Sequence, residues 1–470
     1  MSLLPIHRCL ALAVLCLSAC SSLPAIEAVQ PLPGAQAVRM EGARGALSAA
    51  QSKAILERLA KSGQPTSIFD RHLALEEGIV GSPLTTGNAV KLLQDGPATY
   101  QAMFAAILAA KDHINMETYI LDDDEVGQRF VEALINKQRQ GVQVNLIHDS
   151  VGTRSTPAAL FERMASAGIM LLEFNPINPA AARKTWELNR RDHRKLLIVD
   201  GQTAFLGGIN ISSVYSGGSF RANSRAKTAK DGAGAPGAPD TPAWRDTDLQ
   251  LQGPVVAELQ KLFLGTWAKQ KGAELPTRNY FPPPVQAGAQ VVRAIGSSPD
   301  DAFSLIYATL LSAIGSAETS VSITNAYFAP DPQLLATLTA AAARGVDVKL
   351  ILPSQTDSWL VFHAGRAYYA HLLRAGVKIY ERSGAILHSK TALVDGVWAT
   401  VGSTNLDWRS FLHNDELNAV VLGADFGRQV QAMFDKDLAA SREITLVVWE
   451  KRPLEFRVKE SFARLWEYWL

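Results

Sequence analysis

The 470-residue sequence predicts an α/β protein made of two duplicated halves, each a mixed β-sheet flanked by helices. Three observations carry that prediction. First, His193-Arg194-Lys195, followed by Leu-Leu-Ile-Val-Asp200, returns 195 residues later as His388-Ser389-Lys390, followed by Thr-Ala-Leu-Val-Asp395. Second, each copy runs through six further residues to a glycine-small pair and an asparagine: Gly207-Gly208-Ile-Asn210 and Gly402-Ser403-Thr-Asn405. Third, the patterns upstream of the copies repeat in the same order, strand, helix, strand, the signature of an internal duplication.

The elements follow from periodicity. Residues 50–61 space apolar side chains as a short helix, and 98–111 as an amphipathic one. A strand over 114–120 ends near Glu117-Thr-Tyr119; its counterpart over 322–328 ends Asn325-Ala-Tyr327. Helices at 125–139 and 332–344 come next, then strands that begin Gly141-Val-Gln-Val and Gly345-Val-Asp-Val. Each His-x-Lys opens a strand, so histidine and lysine, two residues apart, share a face. Asp200-Gly201 and Asp395-Gly396 read as tight turns in which the aspartates brace structure. The boundaries predicted are a tether and N-terminal segment at 20–86, one domain at 87–275, another at 290–445 and a helical tail at 446–470. The tail is rich in Leu, Phe, Val and Trp and is expected to pack as a helix on the second half, with membrane contact as the alternative. An insertion at 215–242, rich in Gly, Ala and Ser, reads as a loop near the site. In a lid or membrane-contacting role its Arg221, Arg225, Lys227 and Lys230 would meet anionic headgroups.

Two histidines, two lysines and two asparagines suit phosphoryl transfer without a metal. Lys195, Lys390, Asn210 and Asn405 supply donors to the non-bridging oxygens of a phosphodiester as charge builds. One imidazole attacks phosphorus to form a phosphohistidine. The other protonates the departing alcohol and deprotonates the incoming one. Residue type alone leaves open which histidine does which. A histidine nucleophile gains from a carboxylate on its second nitrogen. Asp248-Leu-Gln250 and Glu416-Leu-Asn418 align as carboxylate-Leu-amide, so Asp248 and Glu416 are the expected partners of the two histidines. No cluster shows metal-ligand spacing, and no metal or other cofactor is expected.

These two motifs resemble the HKD motifs of the phospholipase D superfamily, over most of the chain from residue 87 to 470. The resemblance implies two phospholipase D-type domains packed face to face with one shared active site. It assigns His193 as nucleophile and His388 as acid/base. Gly402-Ser-Thr-Asn405-Leu-Asp-Trp-Arg409-Ser410-Phe411, Asn414-Asp-Glu416 and Trp244-Arg-Asp-Thr are similar to the bacterial cardiolipin synthases. That implies transfer of a phosphatidyl group from phosphatidylglycerol, or phosphatidylethanolamine, to a second phosphatidylglycerol. A phospholipase D hydrolase releasing phosphatidic acid has the same site and differs in acceptor. A non-catalytic lipid-binding envelope lipoprotein is the reading of another class.

All three cysteines, Cys9, Cys16 and Cys20, fall in the first twenty residues. Arg8, the apolar run after it and Leu17-Ser-Ala-Cys20 resemble a bacterial lipoprotein signal, residues 1–19, cleaved before a lipidated Cys20. The run is shorter than the roughly 20 apolar residues of a membrane span. A tether to the periplasmic face of the envelope follows, with the outer membrane favoured by Ser21. Net charge is +1, which argues against a nucleic-acid partner.

Overall fold

The computed structural model describes residues 38–178, 189–216 and 244–470. Strand Leu84–Gln94 is the spine. One edge pairs antiparallel with Thr247–Gln252 of the first half, the other with Gln290–Ser297 of the second. Outward from the spine, the first sheet continues from Thr247–Gln252 through Thr203–Gly207, Leu196–Val199, His113–Thr118, Gln143–Asp149 and Met170–Phe174. From Gln290–Ser297 the second sheet runs through Asn414–Leu422, Trp398–Gly402, Lys390–Val394, Ser320–Asn325, Asp347–Pro353 and Lys378–Arg382. In both halves the last three of these strands are mutually parallel and the others antiparallel; in the second half Ser441–Ile444 adds one more strand, antiparallel to Lys378–Arg382. The duplication read from the motifs is therefore a duplication of the whole sheet.

The repeated helices span Asp95–Ala109 and Glu125–Arg139 in the first half, Leu305–Ser316 and Pro332–Ala343 in the second. Asp124 and Asp331 cap two of them, each carboxylate accepting from backbone amides of the first turn. The spine strand went unread. Gly87, at φ 91°, and Asn88 interrupt any alternation in Leu-Thr-Thr-Gly-Asn-Ala-Val, so 87 looked like a beginning.

Each half has its own apolar core, around Phe130 and Val144 in the first and Leu350 and Ile379 in the second. A third core joins them, with Leu206, Leu249 and Leu251 against Val401, Ala419 and Val421, all nearly inaccessible. Each such side chain contributes about 1.5–3 kcal/mol on burial, so the halves are held together mainly by apolar contact.

Asp200-Gly201 and Asp395-Gly396 form the expected turns, with φ of 53° and 61°, then 49° and 67°. Two consecutive positive φ values define the turn that matches strand twist. The Asp200 carboxylate accepts from the amides of Lys111, Asp112 and His113. That of Asp395 accepts from Glu318, Thr319 and Ser320, and from Thr66 Oγ1 at 2.5 Å. Both aspartates thus tie the hairpin to the start of the neighbouring strand.

The tail packs on the second half as a helix, but not by its large apolar residues. Helix Leu454–Arg464 lies against helix Trp359–Arg366, but it buries Ala463 and Glu460. Leu454, Val458, Phe462 and Leu465, expected inside, are exposed. Glu460 faces inward because Arg452 forks onto it, at 2.6 and 3.0 Å. Among the described residues no helix is long and apolar enough to cross a membrane. Cys9, Cys16, Cys20 and the insertion's Arg221, Arg225, Lys227 and Lys230 lie outside the described residues.

Candidate active site

The two motifs meet where the halves exchange short strands. Arg191–Asp192 pairs in parallel with Asn414–Leu422, and Trp244–Arg245 pairs in parallel with Ile386–Leu387. His193 N–H donates to the carbonyl of Asp415 at 2.9 Å, and His388 N–H to that of Arg245 at 2.8 Å. Each histidine is therefore hung on the other half of the chain. The next residue in each case carries a carboxylate. Glu416 accepts from His193 Nδ1, both oxygens at 3.1 Å, and Asp246 accepts from His388 Nδ1 at 2.7 Å.

Glu416 stands where expected, but Asp248 does not. Asp248 lies opposite Gly207 in its sheet, and Asn418 lies opposite Gly402. The counterpart of Asp248 is thus Asn418, and that of Glu416 is Asp246. A Cβ added at Gly208 would overlap the Asp246 carboxylate, while at the matching place Ser403 Oγ donates to Glu416 at 2.5 Å. The carboxylate-Leu-amide alignment was two residues out of register, which on a strand keeps the correct face and so escapes notice. Counting from the glycine-small pair could not find Asp246, because the insertion at 215–242 lengthens that spacing in the first half. Asp248 instead accepts from the amide of Ile209 at 3.2 Å and holds the turn into Asn210.

His193 and Lys195 precede strand Leu196–Val199, whereas Lys390 opens its own strand. Each ammonium donates to the carbonyl of its histidine, Lys195 at 2.5 Å and Lys390 likewise. The asparagines are not equivalent. Asn210 Oδ1 accepts from the Ile120 amide at 3.1 Å, and its Nδ2 donates to Tyr215 OH at 2.9 Å. Asn405 Oδ1 is buried and has no hydrogen bond among the described residues. Aromatic rings that sequence reasoning did not assign wall the site. Tyr119 lies edge-on to His193 at 5.1 Å, and Tyr327 edge-on to His388 at 6.1 Å. Trp244 and Tyr215 flank His388 at 5.0 and 5.7 Å, and Tyr215 OH is 3.4 Å from His388 Nδ1. Tyr119 and Tyr327 sit at matching strand ends, and that repetition was the available signal.

Buried arginines lock the exchange. Arg190 reaches Asp415 at 2.9 Å, and Arg194 reaches the carbonyl of Glu416 at 3.2 Å. Arg245 forks onto Asp437 at 3.0 and 2.9 Å. All three contacts run between halves, and those of Arg190 and Arg245 are ion pairs whose breakage would strand a buried charge.

Burial, then the charge of Lys195, pushes His193 down to about 4. Burial, then Lys390, lowers His388 as well. Burial opposes ionisation of Glu416, but His193 and Lys195 beside it outweigh that and hold it below the ordinary carboxylate range. At neutral pH the arrangement is a carboxylate accepting Nδ1–H from a neutral imidazole, which leaves Nε2 as a free lone pair. Burial lowers Lys195 to about 7 and Lys390 to about 8. Among the described residues no three His, Cys, Asp or Glu side chains are grouped to hold a metal ion.

Fold and site together define a two-histidine phosphodiester-exchange protein, with one catalytic pocket assembled from duplicated halves. The family profile described as cardiolipin synthase, PLD-like domain, matches residues 103–223 and 310–438. The chain belongs to this family. It is 35% identical over 385 residues to a cardiolipin synthase of Geobacillus kaustophilus, covering 82% of this chain and 72% of that one. It is 36% identical over 378 residues to cardiolipin synthase 2 of Bacillus anthracis, covering 80% and 69%. The crystal structure of a phosphatidylserine synthase from Haemophilus influenzae superposes with a TM-score of 0.61 over 84% of this chain and 99% of its own, at 13% identity. That last likeness is one of fold.

Proposed function

We propose that the chain is a phosphatidyltransferase that makes cardiolipin from phosphatidylglycerol and a second phospholipid. The carrying observation is the exchanged pairing of His193 with Glu416 and His388 with Asp246. The family and its relatives supply the substrate class.

In the first step His193 Nε2 attacks phosphorus. The P–O bond to the headgroup breaks, and that oxygen takes a proton from His388 Nε2. Glycerol, or ethanolamine from the alternative donor, leaves and a phosphatidyl-His193 remains. In the second step His388 removes the proton from a glycerol hydroxyl of phosphatidylglycerol. The new P–O bond forms as the P–N bond breaks, which restores both histidines and releases cardiolipin. Lys195 and Lys390 stabilise the charge on the non-bridging oxygens. The phosphodiester's charge opposes the field of the lysines, so His388 takes up its proton as substrate arrives. Bonds broken and formed are of the same kind, so no nucleotide is consumed. The tyrosine and tryptophan walls favour an alcohol over water as acceptor. We place the protein at the envelope's periplasmic face, tethered through Cys20, on the strength of Leu17-Ser-Ala-Cys20.

Purified protein on liposomes of phosphatidylglycerol and phosphatidylethanolamine tests this, with lipids read by mass spectrometry. Cardiolipin from the parent, and none from His193→Ala or His388→Ala, is the expected result. Phosphatidic acid alone would make the enzyme a hydrolase. Lipid binding without any product would favour a non-catalytic lipoprotein.

A further inference from the structure

The exposed apolar side chains of the described residues gather at the tail. Helix Leu454–Arg464 places Leu454, Val458 and Phe462 four residues apart, with Leu465 three further on, so they form one stripe. Leu454 is 73% exposed, Val458 60%, Phe462 51% and Leu465 70%. Trp466 and Trp469 extend the stripe past the helix end. The stripe faces away from the protein, the reverse of an ordinary surface helix.

Two neighbours say what covers it. Along one edge Arg457 and Arg464 border a groove of ≈ 520 Å³, lined also by Arg374, Arg452, Glu450 and Glu460. Four arginines against two glutamates leave it positive, which suits anionic groups beside an apolar layer. At the other end Phe462 meets Trp359, ring centroids 6.4 Å apart. Trp359 follows Asp357, which accepts from Tyr327 OH at 2.5 Å, and Tyr327 walls His388. A chain of contacts through Trp359, Asp357 and Tyr327 thus links the stripe to the catalytic His388.

We propose that the tail from Leu446 to Leu470, with Trp359, is a surface that docks on an anionic phospholipid bilayer. The stripe enters the acyl boundary, the arginine groove meets headgroup phosphates, and the rim of the pocket is brought against the leaflet that supplies substrate. This rests on the reading that the substrates are bilayer phospholipids. A convex helix needs no complementary groove to enter lipid, and its pattern is that of an interfacial helix.

Vesicle flotation tests it with the full chain carrying Cys20→Ser in every arm, so that no lipid tether contributes. Vesicles are pure phosphatidylcholine or contain phosphatidylglycerol. The parent should float with the anionic vesicles, and Leu454→Gln/Val458→Gln/Leu465→Gln should weaken this about tenfold or more, since binding scales with buried apolar area. Arg457→Gln/Arg464→Gln should lose the preference for phosphatidylglycerol. Turnover of a short-chain phosphatidylglycerol, dispersed as monomers, should be unchanged in both variants. A blue shift of tryptophan emission on vesicle addition should vanish in Trp359→Phe/Trp466→Phe/Trp469→Phe, which gives a second measure should the glutamine variant fold poorly. Flotation of the glutamine variant equal to the parent's would overturn docking. So would a parent dimer that the variant splits while flotation is unaltered, since a second copy would then cover the stripe. Short-chain turnover absent from the parent would instead sink the transfer reading, and flotation would still decide the docking.

Discussion

Replacing Asp246 by asparagine should cripple turnover, whereas the same change at Asp248 should not. The two carboxylates are two residues apart, Asp248 on strand Thr247–Gln252 and Asp246 just before it, and both are fully buried. Asp246 receives His388 Nδ1–H at 2.7 Å. Asparagine there offers either a neutral acceptor or an NH2 group facing a donor. The imidazole then loses the carboxylate that orients it and stabilises its protonated form. The same carboxylate-to-amide change beside a catalytic histidine costs about 10⁴-fold in the serine-protease triad, so a rate loss of roughly 10²–10⁴-fold is expected here.

Asp248 is different. Burial, then the neighbouring charge of Asp246, raises its carboxyl well above the ordinary range and so disfavours its charged form. Its contact is with a backbone amide, which an asparagine oxygen also satisfies. Asp248→Asn should therefore keep activity within about threefold, a change of less than about 0.7 kcal/mol. The assay is cardiolipin formation by mass spectrometry, beside trapping of the phosphohistidine by rapid acid quench. With His388 disabled, the first step loses its acid, so Asp246→Asn should also slow labelling of His193. An Asp248→Asn protein of unchanged melting temperature that loses as much activity as Asp246→Asn would refute the assignment.

Gly208→Ala should reduce activity about tenfold or more by pushing the Asp246 carboxylate off His388, while Ser403→Ala, which removes only one donor to Glu416, should cost less; steady-state turnover of both variants checks this. The pH profile of kcat/KM should rise near pH 4, where His193 becomes neutral, and fall first as His388 of the free enzyme, lowered by burial and Lys390, loses the proton that the leaving group needs, then further above pH 7–8 with Lys195 and Lys390. Bound phosphate favours the charged lysines, so the falling limb of kcat should lie at higher pH than that of kcat/KM. Asp395→Asn should lower stability by about 1–3 kcal/mol through weakened bonds to the amides of residues 318–320, with kcat little changed. Burial opposes ionisation of Asp395, but Thr66 and those amides outweigh it and lower its pKa, so its contribution is complete above about pH 4 and lost below it. Denaturant melts of parent and variant should therefore converge in acid.

The architecture was legible because a duplicated chain reports each element twice. Helix Glu125–Arg139 matches its predicted span, since Asp124 caps it and Gly141 follows it. The spine strand Leu84–Gln94 was not legible. It is stabilised by pairing on both edges with strands from different halves, and nothing in its local pattern carries that information. The carboxylate error has the same root. Alternation specifies a face, but only the strand opposite specifies a register, and that partner lies some forty residues away. The tail's buried face was missed for another reason. Its composition says buried, while one interior ion pair, Arg452 with Glu460, turns the helix the other way.

What the duplication does not repeat bears most on chemistry. Both histidines hold a carboxylate from the other half, so neither half alone could complete a site. Around that shared plan the sides differ. His193 has Glu416, itself fixed by Ser403 and by Asn414 Nδ2 at 3.1 Å. His388 has the shorter Asp246, backed by Gly208 and flanked by Tyr215 and Trp244. A heavily braced carboxylate suits a histidine that must hold one position while bonded to phosphorus. A closer carboxylate under an aromatic roof suits one that must gain and lose a proton twice per cycle, shielded from water. An enzyme with interchangeable halves would have no reason to prefer one nucleophile. The asymmetry at Gly208 against Ser403, and at Tyr215 against Ser410, supports the proposal that covalent chemistry falls to His193 and proton transfer to His388.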